Sequence, residues 1–189
     1  MVSLPLSRRL AVVGSLVAIA AGCGVSEPAP DLPPPLPSAA LPALASRDRA
    51  LPAGELALDA LKPSDLSALL DQAGYRGGTE REFSGHTDTF DHVVSRTLVF
   101  EDVAGADAYV DWIANHTGDL AGPSRALTPI GLGAERSVLF ELEPCPTCKK
   151  QLPTWFGAWR RGSTVSYLLA AGRNVDRRTV GNLAGRLAR

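Results

Sequence analysis

WFGAWRRGSTVSYLLAA, residues 155–171, decides the fold. Before Arg160-Arg161-Gly162-Ser163 lies an aromatic-rich arm, and after it every second residue from Val165 to Ala171 is apolar. A period of two marks a strand whose two faces differ. Two such runs across a short Gly-containing turn make a hairpin. Trp155–Trp159 is therefore one arm and Thr164–Ala171 the other. On the second arm Val165, Tyr167, Leu169 and Ala171 share a face. On the first, Trp155 and Trp159 share one face while Phe156 takes the other, so aromatic rings need cover on both sides. Trp155, Trp159 and Tyr167 are candidates for a core or for a face that takes an apolar or sugar ligand. Arg160 and Arg161 read as a solvated hairpin tip.

Outward from this hairpin the same rule finds three more strands. Ser137–Leu142 alternates, with Val138, Phe140 and Leu142 inward. His92–Phe100 places Val94, Leu98 and Phe100 on one face, with Arg96 the polar exception. Thr79–Phe83 is short and polar, suited to a sheet edge where charge discourages stray pairing. Three segments instead carry apolar residues at i, i+3, i+4 and i+7, the stripe of a helix. Leu66, Leu69, Leu70 and Ala73 mark a helix that Ser64 caps and Gly74 ends. Ala106, Tyr109, Val110 and Ile113 mark a second, ended by Gly118. Val180, Leu183, Ala184 and Leu187 mark a third over Asp176–Ala188, capped by Asn174. Gly122–Gly133 reads as a loop. The order αββαβββα predicts an α+β domain: an antiparallel sheet of about five strands with helices on one face. The helix after the second strand is long enough for a crossover, which leaves mixed pairing open there.

Upstream, composition changes. Eight of the fifteen prolines lie between Gly24 and Gly54. Proline has no N–H to give a helix or inner strand, so residues 23–53 read as a disordered, semi-rigid tether. Pro34 and Pro37 also fit a P-x-x-P docking pattern, which a Pro-rich run supplies cheaply. The domain then occupies 54–189. Before the tether, Arg8 and Arg9 precede the apolar run Leu10–Gly22, which ends on Cys23. A basic start, an apolar middle and a small-residue end make a secretory signal over 1–22. About 13 residues fall short of the roughly 20 that span a bilayer.

Ala20-Ala21-Gly22-Cys23 resembles the bacterial lipoprotein box, with Ala20 where that pattern more often has Leu. The resemblance implies that Cys23 carries fatty acyl chains of the palmitate class and becomes the mature N-terminus. It also implies an exported chain held to the outer face of the cytoplasmic membrane in the cell envelope. More than one acyl chain suffices for stable anchoring. The element order over 54–189, on a Pro-tethered lipoprotein, resembles small actinobacterial cell-envelope lipoproteins, PsbP-like folds and extracellular kinase-sensor domains. That likeness transfers no site residue. It implies a noncatalytic binding or accessory domain.

With Cys23 acylated, Cys145 and Cys148 remain in an oxidising compartment, where pairing is the default. Val138–Pro153, with Cys145-Pro146-Thr147-Cys148 followed by Lys149, resembles the thioredoxin active site. That likeness implies Cys145 as nucleophile and Cys148 as resolving thiol. Against it, only about 40 residues follow Cys148, fewer than that fold requires. Trp155–Trp159 reads as strand where the motif's long helix would run, and Pro153 is the last proline. A structural disulfide, a redox pair and half of a zinc site are the readings left open. His86-Thr87-Asp88-Thr89-Phe90-Asp91-His92 offers His86, Asp88 and His92 as metal ligands if extended, or ordinary turn chemistry.

The chain has 19 basic and 20 acidic residues, and without Arg8 and Arg9 the balance is 17 to 20. That excludes the basic face a nucleic-acid partner needs. No phosphate loop, dinucleotide fingerprint, G-x-S-x-G or H-E-x-x-H occurs, so no cofactor is expected. The reading is a membrane-anchored accessory domain for an envelope protein or ligand, with a thiol–disulfide oxidoreductase as the alternative. Cys23→Ala should release the protein to the medium or leave an uncleaved precursor, read by fractionation and intact mass. A variant that stays in the membrane at the mature mass contradicts the anchor.

Overall fold

The computed structural model describes residues 32–52, 63–130, 132–143 and 152–187. Among these residues seven strands follow one another: β1 (Ala45–Pro52), β2 (Tyr75–Ser84), β3 (His92–Phe100), β4 (Ser124–Leu127), β5 (Arg136–Leu142), β6 (Thr154–Arg161) and β7 (Thr164–Ala171). Helix α1 (Pro63–Gln72) precedes β2, α2 (Val103–Ala121) follows β3, and α3 (Arg177–Leu187) closes the described chain. The strands form one sheet in the order β1-β2-β3-β7-β6-β5-β4, and every neighbouring pair is antiparallel. The sheet is thus two meanders, β1-β2-β3 and β4-β5-β6-β7, joined along β3 and β7.

Helix α2 explains why no parallel pair forms. Its 19 residues span about 28 Å at 1.5 Å each. From β3 to β4 is four strand spacings, about 19 Å. The crossover therefore reaches the far edge of the sheet and does not set the next strand beside β3. Among the described residues the sheet has seven strands where about five were expected. The two unforeseen ones, β1 and β4, are its outer strands.

Both faces are covered, which corrects the expectation of helices on one face. Leu66 and Leu70 of α1 and Ala73 just after it, with Tyr109, Val110 and Ile113 of α2, pack against Leu98, Phe100, Phe156 and Val165. On the opposite face Val180, Leu183 and Ala184 of α3 pack against Trp155, Trp159, Leu168 and Ala170. Leu36, Leu41 and Leu44, from the stretch assigned to the tether, complete that second layer. A sheet buried on both sides needs apolar residues at successive positions. The run Trp155–Arg160, buried without a break, is of this kind.

The proline run is part of the fold from Leu32 onward. It lies as a strap over β2 and β3, and Leu36 is fully buried. Proline carbonyls still accept hydrogen bonds. Thr79 Oγ1 donates to Pro33 O and Thr97 Oγ1 to Pro34 O, each at 3.3 Å. Arg81 Nη1 donates to Leu36 O at 3.1 Å, and Leu36 N donates to the buried Ser95 Oγ at 2.9 Å. The polar residues of β2 and β3 on this face are the strap's partners. Composition had excluded a packed unit because it counted missing donors alone.

Local chemistry sets the helix ends. Gly74, at φ +63°, follows α1 as expected of a left-handed stop. Asp102 caps α2 by accepting from Gly105 N at 2.7 Å. Helix α2 runs past Gly118 to Ala121, with a kink at His116. Asp176, not Asn174, caps α3: its Oδ1 accepts from Thr179 N at 2.8 Å, and Thr179 Oγ1 accepts from Asp176 N at 2.9 Å. Asn174 instead donates to Asp88 O at 2.6 Å.

A Cβ at Gly105 would lie 1.9 Å from Ala73 O, whereas one at Gly118 meets nothing within 4 Å. Gly105→Ala should lose about 2 kcal/mol or more in urea unfolding because backbone has to move. Gly118→Ala should be neutral or stabilising by up to about 1 kcal/mol, since alanine is the better helix former. Equal effects would contradict the contact of α2 with Ala73, just past the end of α1.

Candidate functional site

Helices α1 and α2 leave one part of their face of the sheet open. There β1, β2 and β3 line a groove of about 300 Å³ with Arg47, Arg49, Glu80, Glu82, His92, Val94 and Arg96. Residues two apart on a strand share a face, and the register places Arg49 opposite Glu80, Glu80 opposite Arg96 and Arg96 opposite Tyr167. The next row sets Arg47 opposite Glu82 and Glu82 opposite Val94.

Glu80 is 7% exposed and is held between two guanidiniums. Arg49 Nε donates to its Oε1 at 3.1 Å, with Nη2 at 2.9 Å, and Arg96 Nε donates to its Oε2 at 2.5 Å. Arg96 also stacks, its Cζ lying 4.9 Å from the centre of the Tyr167 ring. Burial alone would lower the pKa of Arg96, but Tyr167 and Glu80 outweigh it and hold the pKa above the usual arginine value. The floor of the groove is therefore fixed charge. His92 Nε2 lies 2.9 Å from Glu82 Oε1 at the more exposed end.

Three guanidiniums face two carboxylates, so the wall carries a positive surplus on a chain whose formal net charge is −1. No hydroxyl or thiol nucleophile is among the lining residues. The arrangement suits recognition: guanidinium forks fit carboxylate and phosphate oxygens geometrically as well as electrostatically.

The residues singled out from sequence fall elsewhere or apart. His86 is 76% exposed and pairs with Asp91, while His92 pairs with Glu82. Asp88 accepts from Asn174 through its backbone, and Thr87 Oγ1 accepts from Phe90 N and donates to Phe90 O, each at 2.8 Å. The segment is a turn, and it does not gather His86, Asp88 and His92. Among the described residues no group of three or more His, Cys, Asp or Glu could hold a metal ion. Trp155 and Trp159 face α3 and the strap, Tyr167 faces the other layer, and all three are under 10% exposed. They form core on two sides of the sheet and no common ligand face. Arg160 is not a solvated tip: Arg161 pairs with Thr164, so β6 carries Arg160 under α2, with its Nε 2.6 Å from Asp107 Oδ1. Cys23, Cys145 and Cys148 lie outside the described residues.

The groove was missed because its charges are spread over three strands: the i, i+2 pairs Arg47 with Arg49 and Glu80 with Glu82, and Arg96 alone. Each reads locally as a solvated face. The usable signal was Arg96, a charge on the apolar side of a central strand.

No known family profile matches the chain, and no curated protein sequence matches it. Among solved structures, the extracellular domain of PknH from Mycobacterium tuberculosis is similar, with a TM-score of 0.50 at 13% identity. The match covers 77% of this chain and 82% of that one. It shows a shared fold.

Removing Glu80 takes a carboxylate from two guanidiniums, one of them largely buried. Glu80→Ala should cost about 3 kcal/mol, the lower range for breaking a buried pair. The double variant Glu80→Leu/Arg96→Met should recover most of that loss, because it replaces the buried ion pair with apolar side chains of similar volume. Thermal unfolding of both decides; a double variant as unstable as the single one contradicts the ion ladder.

Proposed function

We propose that this chain is an exported lipoprotein, anchored through Cys23, whose domain binds the anionic part of an envelope ligand in the groove of β1, β2 and β3 without catalysing a reaction. The observation that carries the reading is Glu80, held between Arg49 and Arg96 on the floor of an open groove. Ion pairs of this kind add little stability over apolar residues of the same volume. Their use here is to aim guanidinium edges, with Arg47 beside them, at an incoming anion. Support for export comes from the signal over residues 1–22 and from the fold shared with an extracellular domain.

Cys145 and Cys148 are then a structural clip. The chain is back in β6 at Thr154, six residues after Cys148, and β6 pairs antiparallel with β5, the strand before the motif. A bridge in the connection between two paired strands restrains a loop.

Titration of the mature protein with sugar phosphates and with peptide carboxylates tests the binding site. The wild type should bind one class with an affinity that falls as salt rises. Arg47→Gln should weaken it about tenfold, the loss of one charge-assisted contact. A wild type that binds neither class, or a variant that binds equally well, overturns the proposal.

A further inference from the structure

The face opposite the groove carries a second feature. A shallow cavity of about 640 Å³ is lined by Pro33, Pro34, Pro35 and Pro37 of the strap and by Leu187 of α3, with Arg186 at its rim. Pro34 and Pro37 are exposed, and Leu187 is half-buried. Arg186 Nη1 donates to Ala40 O at 2.9 Å and makes no ion pair among the described residues. The other rim arginine, Arg81, is neutralised by Asp48 through two contacts of 2.6 Å. The patch is thus apolar, with one surplus positive charge at its edge.

Chain length says what lies against it. Leu32, the first described residue of the strap, comes nine residues after Cys23. Nine residues reach at most about 32 Å when fully extended. A domain of this size is itself close to 40 Å across by the usual scaling of radius with length. A lipid on Cys23 therefore keeps the start of the strap within one domain diameter of the bilayer. The tether needs least extension when the strap side faces the bilayer, and the charged groove, on the other face of the sheet, then points away from it.

We infer that the patch of Pro34, Pro37 and Leu187 rests on the membrane, its two exposed prolines at the headgroup boundary and Arg186 against anionic lipid headgroups. Apolar side chains gain by leaving water at that boundary, and a basic group beside them gains from the negative surface. The inference rests on acylation of Cys23, and the groove's exposure to envelope ligands follows from it.

The full chain, purified with its native lipid, is reconstituted into vesicles of phosphatidylcholine with or without phosphatidylglycerol. Ala39→p-benzoylphenylalanine places a photocrosslinker beside the patch, and Arg47→p-benzoylphenylalanine places one in the groove on the far face. Position 39 should give lipid adducts on the anionic vesicles, and position 47 should give essentially none. Arg186→Gln should cut the adduct at position 39 about fivefold on anionic vesicles and leave it unchanged on neutral ones. Adducts from position 39 to a second copy of the chain, or equal lipid adducts from both positions, overturn the inference. The mass of the Cys23 peptide separates the two failures. Bare Cys23 removes both the anchor and this inference, whereas acylated Cys23 without lipid adducts at position 39 removes this inference alone.

Discussion

The pairing of β3 with β7 holds the molecule together. Eight residue pairs, from His92–Ala171 to Val99–Thr164, join a three-stranded meander to a four-stranded one. Neither meander could bury both faces alone, and neither carries every layer that covers it. Once the two are joined, Leu98, Phe100, Val165 and Tyr167 make a floor for α1 and α2. Val93, Leu168 and Ala170 make a floor for α3 and the strap. A long-range antiparallel ladder of this kind is a non-local contact, and both layers rest on the sheet that it completes.

The groove follows from unequal cover. Helix α2 crosses from β3 toward β4, so it shields the β7–β4 side of its face and leaves the far part of β1, β2 and β3 open. An open sheet face of apolar residues would be a binding or aggregation liability. Here the exposed rows are charged and cross-paired, with the apolar positions moved under the helices. On the reverse face of the same strands, the strap satisfies Ser95 and Thr97, so a pair of buried hydroxyls on β3 has partners. The two faces of β3 thus do different work: one is closed by proline carbonyls, the other is left open as a row of fixed charge.

Much of this was legible in the sequence, and the exceptions have physical causes. Apolar residues at every second position in β3, β5 and β7, and the 3.6-residue stripes of the three helices among the described residues, were legible because burial imposes those periods, whereas Thr79–Phe83, read as a polar edge, is the middle of β2, which is paired on both sides by β1 and β3. The outer strands escaped. Ser46, Arg47, Asp48 and Arg49 of β1 are all exposed, so nothing in their hydropathy alternates, and β4 has only four residues. Edge strands are polar for good reason, since an apolar edge invites further pairing. The strap escaped because proline was weighed as a missing donor, when its carbonyls were the groups in use. The groove could not be read locally at all. Arg49, Glu80 and Arg96 are far apart in the chain, and only the register of three strands brings them into line. Arg160 was misplaced by one turn of reasoning: a tetrad with two arginines reads as loop, but Gly162 and Ser163 alone make the turn.

The central claim is that the proline-rich run from Leu32 to Leu44 is a layer of the fold and not a spacer. Equilibrium urea unfolding of the chain starting at Val25, compared with one starting at Ala45, tests it most directly. Loss of buried Leu36, Leu41 and Leu44 should cost at least about 3 kcal/mol, at roughly 1.5–3 kcal/mol for each fully buried side chain, and should lower the unfolding midpoint accordingly. Identical midpoints and slopes for the two chains would contradict the account.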